Sequence, residues 1–145
     1  MKKLISILAV VLLSVSAMAQ VTSASGDLKT LKSFRLGACK IVEVTKGDAV
    51  TYKITGRPVD TDRIEMNVRL GDADAAVKTL LSLAEYKPSS NDEIVNLNNP
   101  GDNTAQYDKF FAVWMIRSQG GQFDLHVSRG ELRKMAKAIN ESLNK

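Results

Sequence analysis

The chain has one cysteine, Cys39, and one histidine, His126. A lone cysteine cannot form an intrachain disulfide, and so few nitrogen and sulfur ligands leave carboxylates as the material for any metal site. We interpret Cys39 as a small buried hydrophobic residue, with an intermolecular disulfide or a reactive thiol as the alternative. The folded domain must therefore be held together by its apolar core.

The scarcity of histidine also argues against nucleophilic catalysis, because a catalytic triad needs a base beside its nucleophile and the usual base is histidine. No serine or cysteine motif accompanies His126, so we interpret it as a partly exposed surface residue. Gly120-Gly121 lies between two predicted strands, whereas a phosphate-binding loop would precede a helix. Asp72 and Asp74 lack the further spaced ligands of a calcium loop. We therefore predict no catalytic, cofactor or metal residues.

Apolar runs long enough to cross a bilayer are absent. The chain opens with Met-Lys-Lys, continues with an apolar run over 4–15, and reaches Ala17-Met18-Ala19 before Gln20. This pattern predicts a secretory signal peptide over residues 1–19, cleaved after Ala19 and similar to bacterial ones. We expect an exported protein, periplasmic or secreted, that is not embedded in a membrane after cleavage. An uncleaved anchor helix is the alternative.

A strong excess of one charge is also missing from the mature chain. Of the 20 basic residues, Lys2 and Lys3 belong to the predicted signal peptide, so 18 remain against 16 acidic residues, a net charge of +2. The steering field of such a nearly balanced protein is weak. Net charge therefore gives no reason to expect a nucleic-acid partner. Residues 20–145 have the length of a single domain.

The region from Phe110 to Leu143 carries the clearest local signals. Two apolar runs around Gly120-Gly121 predict a hairpin, because glycine supplies the positive φ that tight turns need. Ser128 and Glu131 form a predicted capping box at the start of a helix whose apolar residues recur at helical spacing.

The first half of the chain gives a similar but weaker pattern. The predicted elements are a hairpin of strands over 39–45 and 49–55, an alternating strand over 64–70, and a helix over 72–86. The predicted apolar stripe of this helix includes Leu80 and Leu81. Residues 27–33 favour a helical turn, with an entering strand as the alternative. Residues 87–107 predict a long loop, interrupted by a possible short strand over 93–97.

This order of elements predicts an α+β fold, with one antiparallel sheet of about five or six strands and two amphipathic helices on one face. Strand, loop, strand and helix follow one another over 52–83 and again over 114–143. The recurrence is explained either by a duplicated strand-strand-helix unit or by the common physics of strand-to-helix junctions.

The register of the predicted hairpin has a consequence for binding. A two-residue turn at Gly120-Gly121 places Trp114 opposite Val127, Met115 opposite His126, and Arg117 opposite Asp124. Phe110, Ala112, Trp114 and Ile116 then share a core face, while the other face holds Phe111, Val113, Met115 and His126. Large apolar side chains on both faces indicate either a covered central strand or an exposed patch. We predict that Phe111, Val113, Met115 and His126 form a contact surface, either for the loop over 91–103 or for another chain.

Two functions follow as hypotheses. We expect an exported, non-catalytic binding or interaction module whose partner is an unknown protein or small ligand and which needs no cofactor. The alternative is a small carboxylate-based hydrolase, which requires two acidic side chains converging in a cleft. The residues that line the deepest pocket separate the two hypotheses.

Overall fold

The computed structural model describes residues 26–58, 64–97, 100, 102–117 and 124–145. The predicted signal peptide and the Gly120-Gly121 turn lie outside these ranges. The described residues form eight strands and two α-helices, together with one short 3-10 turn. None of the helices in these ranges is both long enough and apolar enough to cross a membrane.

The first sheet is an antiparallel meander of four strands in chain order. Its strands are β1 (Asp27–Phe34), β2 (Cys39–Lys46), β3 (Ala49–Gly56) and β4 (Met66–Gly71). The predicted hairpin of β2 and β3 is confirmed, and Gly47 takes the positive φ that its tight turn needs. The 3-10 turn Arg35–Gly37 joins β1 to β2.

The helical turn predicted over 27–33 is wrong, because this segment is strand β1, paired with β2 from Asp27 to Phe34. The pairing shifts register at Leu31, and this bulge lets both Leu31 and Phe34 pack against the core. An unbroken strand would place two residues at this three-residue spacing on opposite faces, and the bulge brings them to the same face.

The second sheet is also a four-stranded antiparallel meander. Its strands are β5 (Ile94–Asn96), β6 (Thr104–Asp108), β7 (Val113–Arg117) and β8 (Leu125–Ser128). The predicted register is confirmed, since Trp114 pairs with Val127 and Met115 with His126. The short strand predicted within 93–97 is likewise confirmed as β5.

The core face predicted for the hairpin begins too early in the chain. Phe110 was expected in the core but is 89% exposed. Ala112 has a positive φ of 54°, which interrupts the alternation of faces immediately before β7 begins at Val113. Trp114, Ile116, Leu125 and Val127 are buried as predicted.

Each meander ends in a helix, α1 (Ala73–Glu85) and α2 (Arg129–Leu143). Asp72 caps α1 by accepting a hydrogen bond from the Ala75 amide, and Ser128 and Glu131 form the predicted capping box of α2. Leu81, which was assigned to the apolar stripe of α1, is 40% exposed. Leu83 is buried instead.

The α+β class is confirmed, but the prediction of one sheet of five or six strands is wrong. The described residues form two four-stranded sheets, and each half of the chain has the same order of four strands and a helix. The helices pack against each other, α1 also contacts β3 and β4, and α2 also contacts β1 and β8. Buried side chains from both sheets and both helices form one core.

We predict opposite effects of alanine at two glycines. A Cβ on Gly56 would lie 2.8 Å from the carbonyl oxygen of Ala38 and even closer to Leu125, at the point where β3 meets the second sheet. Gly56→Ala should therefore lower the free energy of unfolding by about 1–3 kcal/mol. Gly130 lies in α2 with open space around it, so Gly130→Ala should raise it by about 0.4–1 kcal/mol. Urea unfolding of both variants tests this, and equal effects would contradict the close approach at Gly56.

Candidate functional site

One concave site of the described residues is a groove between α1 and β5, with a volume of about 390 Å³. One stripe of α1 forms one wall, and β5 with the residue after it forms the other. We call this site the α1–β5 groove. Its lining residues are Ala75, Lys78, Thr79, Ser82, Leu83, Tyr86, Val95, Asn96 and Leu97.

The lining of the α1–β5 groove combines apolar and polar side chains. Leu83 and Leu97 are buried core residues that present part of their surface to the groove. Thr79 and Ser82 supply hydroxyl groups that can donate and accept hydrogen bonds. Among the described lining residues Lys78 alone carries a charge, and none is an Asp or Glu. The groove therefore suits a ligand with an apolar part and an acceptor or negative charge.

A comparison of the two halves explains why this groove is open. Thr79 and Met135 stand at the same distance from the helix N-caps Asp72 and Ser128, and Met135 is completely buried. In the first sheet, the edge strand β1 packs Leu31 and Phe34 against the core beside α2. In the second sheet, β5 and its next residue supply the smaller Val95 and Leu97. Smaller side chains on both walls leave space beside α1 that is filled beside α2.

The connection from α1 to β5 is held by a cluster around Glu93. The Tyr86 hydroxyl donates a hydrogen bond to this carboxylate. Ser89 donates two more, one from its amide (2.6 Å) and one from its hydroxyl (2.8 Å). The Tyr86 and Ser89 hydrogen bonds hold the pKa of Glu93 below its ordinary value, and the same Glu93 contact raises the pKa of Tyr86. The ionised Glu93 carboxylate thus accepts hydrogen bonds that hold this connection in place at one end of the α1–β5 groove.

Three of the four residues predicted to form a contact surface share one sheet face. Val113, Met115 and His126 lie half-buried on the face of the second sheet opposite the core. Phe111 belongs to the turn before β7, is 66% exposed, and packs edge-on against Phe110 at 4.9 Å between ring centroids. The structure therefore joins three of the four residues on one sheet face, and their use in partner contact stays a prediction.

The described part of the loop over 91–103, one of the two predicted partners of this face, contributes strand β5 and a hydrogen bond of 2.9 Å from the Gln106 side chain to the Asn91 carbonyl. Strand β5 extends the sheet beyond β6, so that Ile94, Gln106, Met115 and His126 stand side by side across four strands. The predicted Arg117–Asp124 pair is confirmed, with two hydrogen bonds of 2.7 and 2.9 Å. The Asp124 carboxylate raises the pKa of Arg117.

Cys39 is completely buried, which confirms its interpretation as a core residue. Burial raises the pKa of its thiol to about 11. The thiol is therefore protonated at neutral pH and is a poor nucleophile.

A second concavity, with a volume of about 490 Å³, lies beside the turn between β1 and β2, and Arg35, Lys40 and Arg57 line it. Arg35 spans the two halves, because its guanidinium pairs with Glu131 at 3.1 Å and donates to the backbone carbonyl of His126. This arginine therefore holds β8 against the turn after β1. We assign it a structural role.

The described residues contain no group of three or more His, Cys, Asp or Glu side chains that could hold a metal ion. No protein-family model, curated protein or solved structure matches the chain. Its function must therefore be inferred from the geometry of the α1–β5 groove itself.

The groove residues were missed in the sequence because they carry no motif. Thr79 and Ser82 are small polar residues that flank the apolar stripe of α1, and such residues usually face solvent. The available signal was the difference between Thr79 and Met135 at equal distances from two helix starts. It becomes informative only when both helices are known to pack in one core.

We predict that the outer face of the second sheet tolerates a charge. Met115 is half-buried, so Met115→Lys should change the free energy of unfolding by less than about 1 kcal/mol. Its neighbour Ile116 is buried, so Ile116→Lys should cost several kcal/mol by forcing a charge into the core.

Urea unfolding and analytical ultracentrifugation of the two variants test the predicted contact surface. Loss of an association with unchanged stability in Met115→Lys supports a contact role for this face. A stability loss as large as that of Ile116→Lys would instead mean that the face is covered. No change in stability or association would contradict the contact role.

Proposed function

We propose that the protein is an exported, non-catalytic binding module that holds its ligand in the α1–β5 groove. The observation that carries this proposal is a groove of about 390 Å³ whose lining combines apolar and uncharged polar residues with a single charged residue, Lys78. Small-ligand sites have volumes of about 300–1,000 Å³ and the same combination of apolar lining with a few polar groups. Export rests on the predicted signal peptide over residues 1–19.

The carboxylate-based hydrolase is the weaker hypothesis. It requires two acidic side chains that converge on a bound substrate. No Asp or Glu is among the described residues that line the α1–β5 groove. Glu93, at the end of the groove, is already bound by Tyr86 and Ser89. These observations favour binding over hydrolysis.

We also propose that the two halves of the chain are copies of one unit, larger than the strand-strand-helix unit expected from the sequence. Counted from the N-caps, three buried positions coincide in the two helices. The pairs are Ala76 with Leu132, Leu80 with Ala136, and Leu83 with Ile139.

Contacts between the halves support the same proposal because they are reciprocal. Arg35, in the connection from β1 to β2, donates a hydrogen bond to the backbone carbonyl of His126 in β8. Asn103, in the connection from β5 to β6, donates to the backbone carbonyl of Arg69 in β4 at 3.4 Å. In each half, the connection between the first two strands therefore contacts the last strand of the other half. In such a duplicated fold, one copy of the helix–strand groove is filled and the other is available for a ligand.

We predict that Thr79→Met closes the α1–β5 groove. N-acetyl-leucine is a suitable probe, because it combines a branched apolar side chain with a carboxylate that can pair with Lys78. Its binding at about millimolar affinity should shift the amide resonances of Ala75, Thr79 and Asn96 in ¹H–¹⁵N spectra. Thr79→Met should abolish these shifts without lowering stability, since it places in α1 the residue that α2 buries.

Thr51→Met is the matched control, because Thr51 is exposed on β3 and away from the α1–β5 groove. This variant should bind the probe as the wild type does. Shifts that map elsewhere, or that persist in Thr79→Met, would exclude the groove as the binding site.

A further inference from the structure

We infer that the occupant of the α1–β5 groove is an extended peptide that adds as a fifth strand to the open edge of β5. This inference rests on the proposed function and names the class of ligand. Peptides bind sheet edges in this way when main-chain hydrogen bonds continue the sheet and a neighbouring pocket takes alternate side chains.

The hydrogen-bonding pattern of β5 leaves backbone groups available at its edge. In the part of the chain that the structure describes, β5 pairs with β6 alone. The Leu97 amide donates to the carbonyl of Asn103 at 3.0 Å, which places Leu97 in a hydrogen-bonded pair. Such pairs alternate along an antiparallel ladder, so Val95 also faces β6. The N–H and C=O groups of Ile94 and Asn96 therefore point away from β6, towards the open edge.

The α1–β5 groove reaches this edge. Val95 packs against the core and Leu97 is part of it, so the side chains of both residues lie on the inner face of the sheet. Asn96 lies between them with its side chain on the opposite face, yet it also lines the groove. The groove thus continues from the inner face of the sheet to the backbone of β5, where a peptide strand would be added.

The length of the groove suits a short extended segment. Its wall on α1 runs from Ala75 to Tyr86, which corresponds to about 16 Å along the helix axis. An extended strand of about five residues has the same length. An inward-pointing apolar side chain of this peptide would contact Leu83 and Leu97. Lys78, the one charged residue among the described lining residues, favours an acidic residue beside the apolar one.

The other sheet edges are protected, which distinguishes β5 among the four. At the edge of β4 the carbonyl of Arg69 is bound by the Asn103 side chain, and at the edge of β8 the carbonyl of His126 is bound by Arg35. The edge strand β1 carries Lys29 and Lys32, and lysines on an edge oppose the addition of another strand. In contrast, β5 presents Ile94, 65% exposed, and no charged side chain.

The test begins with the purified full chain and a phage-displayed library of random heptapeptides. We expect enriched peptides that combine a branched apolar residue with a neighbouring Asp or Glu. Synthetic versions are then titrated by isothermal calorimetry. N-methylation of the peptide amides that pair with β5 should lower the affinity at least tenfold, because it removes main-chain donors and leaves every side chain in place.

Two variants at one position separate main-chain from side-chain contacts. Asn96→Pro removes an edge-directed N–H while leaving the β5–β6 hydrogen bonds, and should lower the affinity at least tenfold. Asn96→Ala is the matched comparison, since it changes the side chain and keeps the N–H, so Asn96→Pro should bind the peptide at least tenfold more weakly than Asn96→Ala does. The N-methylated peptides test the same contact on the unaltered protein, so a folding defect in Asn96→Pro cannot decide the result.

The outcomes distinguish this inference from the function on which it rests. If Thr79→Met abolishes peptide binding while N-methylation and Asn96→Pro leave it intact, the groove binds its ligand through side chains and strand addition is wrong. If no peptide is enriched but N-acetyl-leucine binds in the groove, strand addition is again wrong and the binding module stands. If Thr79→Met leaves peptide binding unchanged, both the proposed function and strand addition fail.

Discussion

The packing of α1 against α2 is the contact on which the rest of the structure depends. Arg129, the first residue of α2, donates to the carbonyls of Ala84 (3.3 Å) and Tyr86 (2.7 Å) at the C-terminal end of α1, and its guanidinium lies over the ring of Tyr107. A cation is favourable there because the last carbonyls of a helix lack partners and carry partial negative charge. Arg129 thus joins the end of one helix, the start of the other and the second sheet. Without the helix pair, each sheet would expose its apolar face.

This shared core also accounts for the location of the α1–β5 groove. Two similar units that pack around one helix pair create two helix–strand contacts, one beside each helix. Larger side chains, among them Met135 and Phe34, fill the contact beside α2, whereas Thr79 and Leu97 leave space beside α1. Small changes in side-chain volume at a few positions are enough to convert a packed interface into a cavity. The groove proposed to bind a ligand can therefore lie in one half while the equivalent contact in the other half is packed.

Features specified by neighbouring residues were predictable from the sequence. The capping box of Ser128 and Glu131, the register of Met115 with His126, and the turn at Gly47 all follow from local chemistry. The division into two sheets was not predictable in this way, because it depends on which strands pair over long separations. Strand β1 was misassigned since its bulge at Leu31 interrupts the alternation of apolar and polar residues by which a strand is recognised. The groove was missed because its walls meet only after α1 and β5 have packed around a core formed by both halves.

The chain provides one buried probe in each half, which allows a direct measurement of whether the core is shared. Cys39 is buried in β2 of the first half, and Trp114 is buried in β7 of the second. Each is the only residue of its type in the chain. Urea unfolding of the full chain can be followed by Trp114 fluorescence and by the accessibility of the Cys39 thiol to a thiol reagent. One core predicts coincident midpoints for the two probes. Two separate midpoints would mean that the halves unfold independently, and would contradict a core shared by both halves.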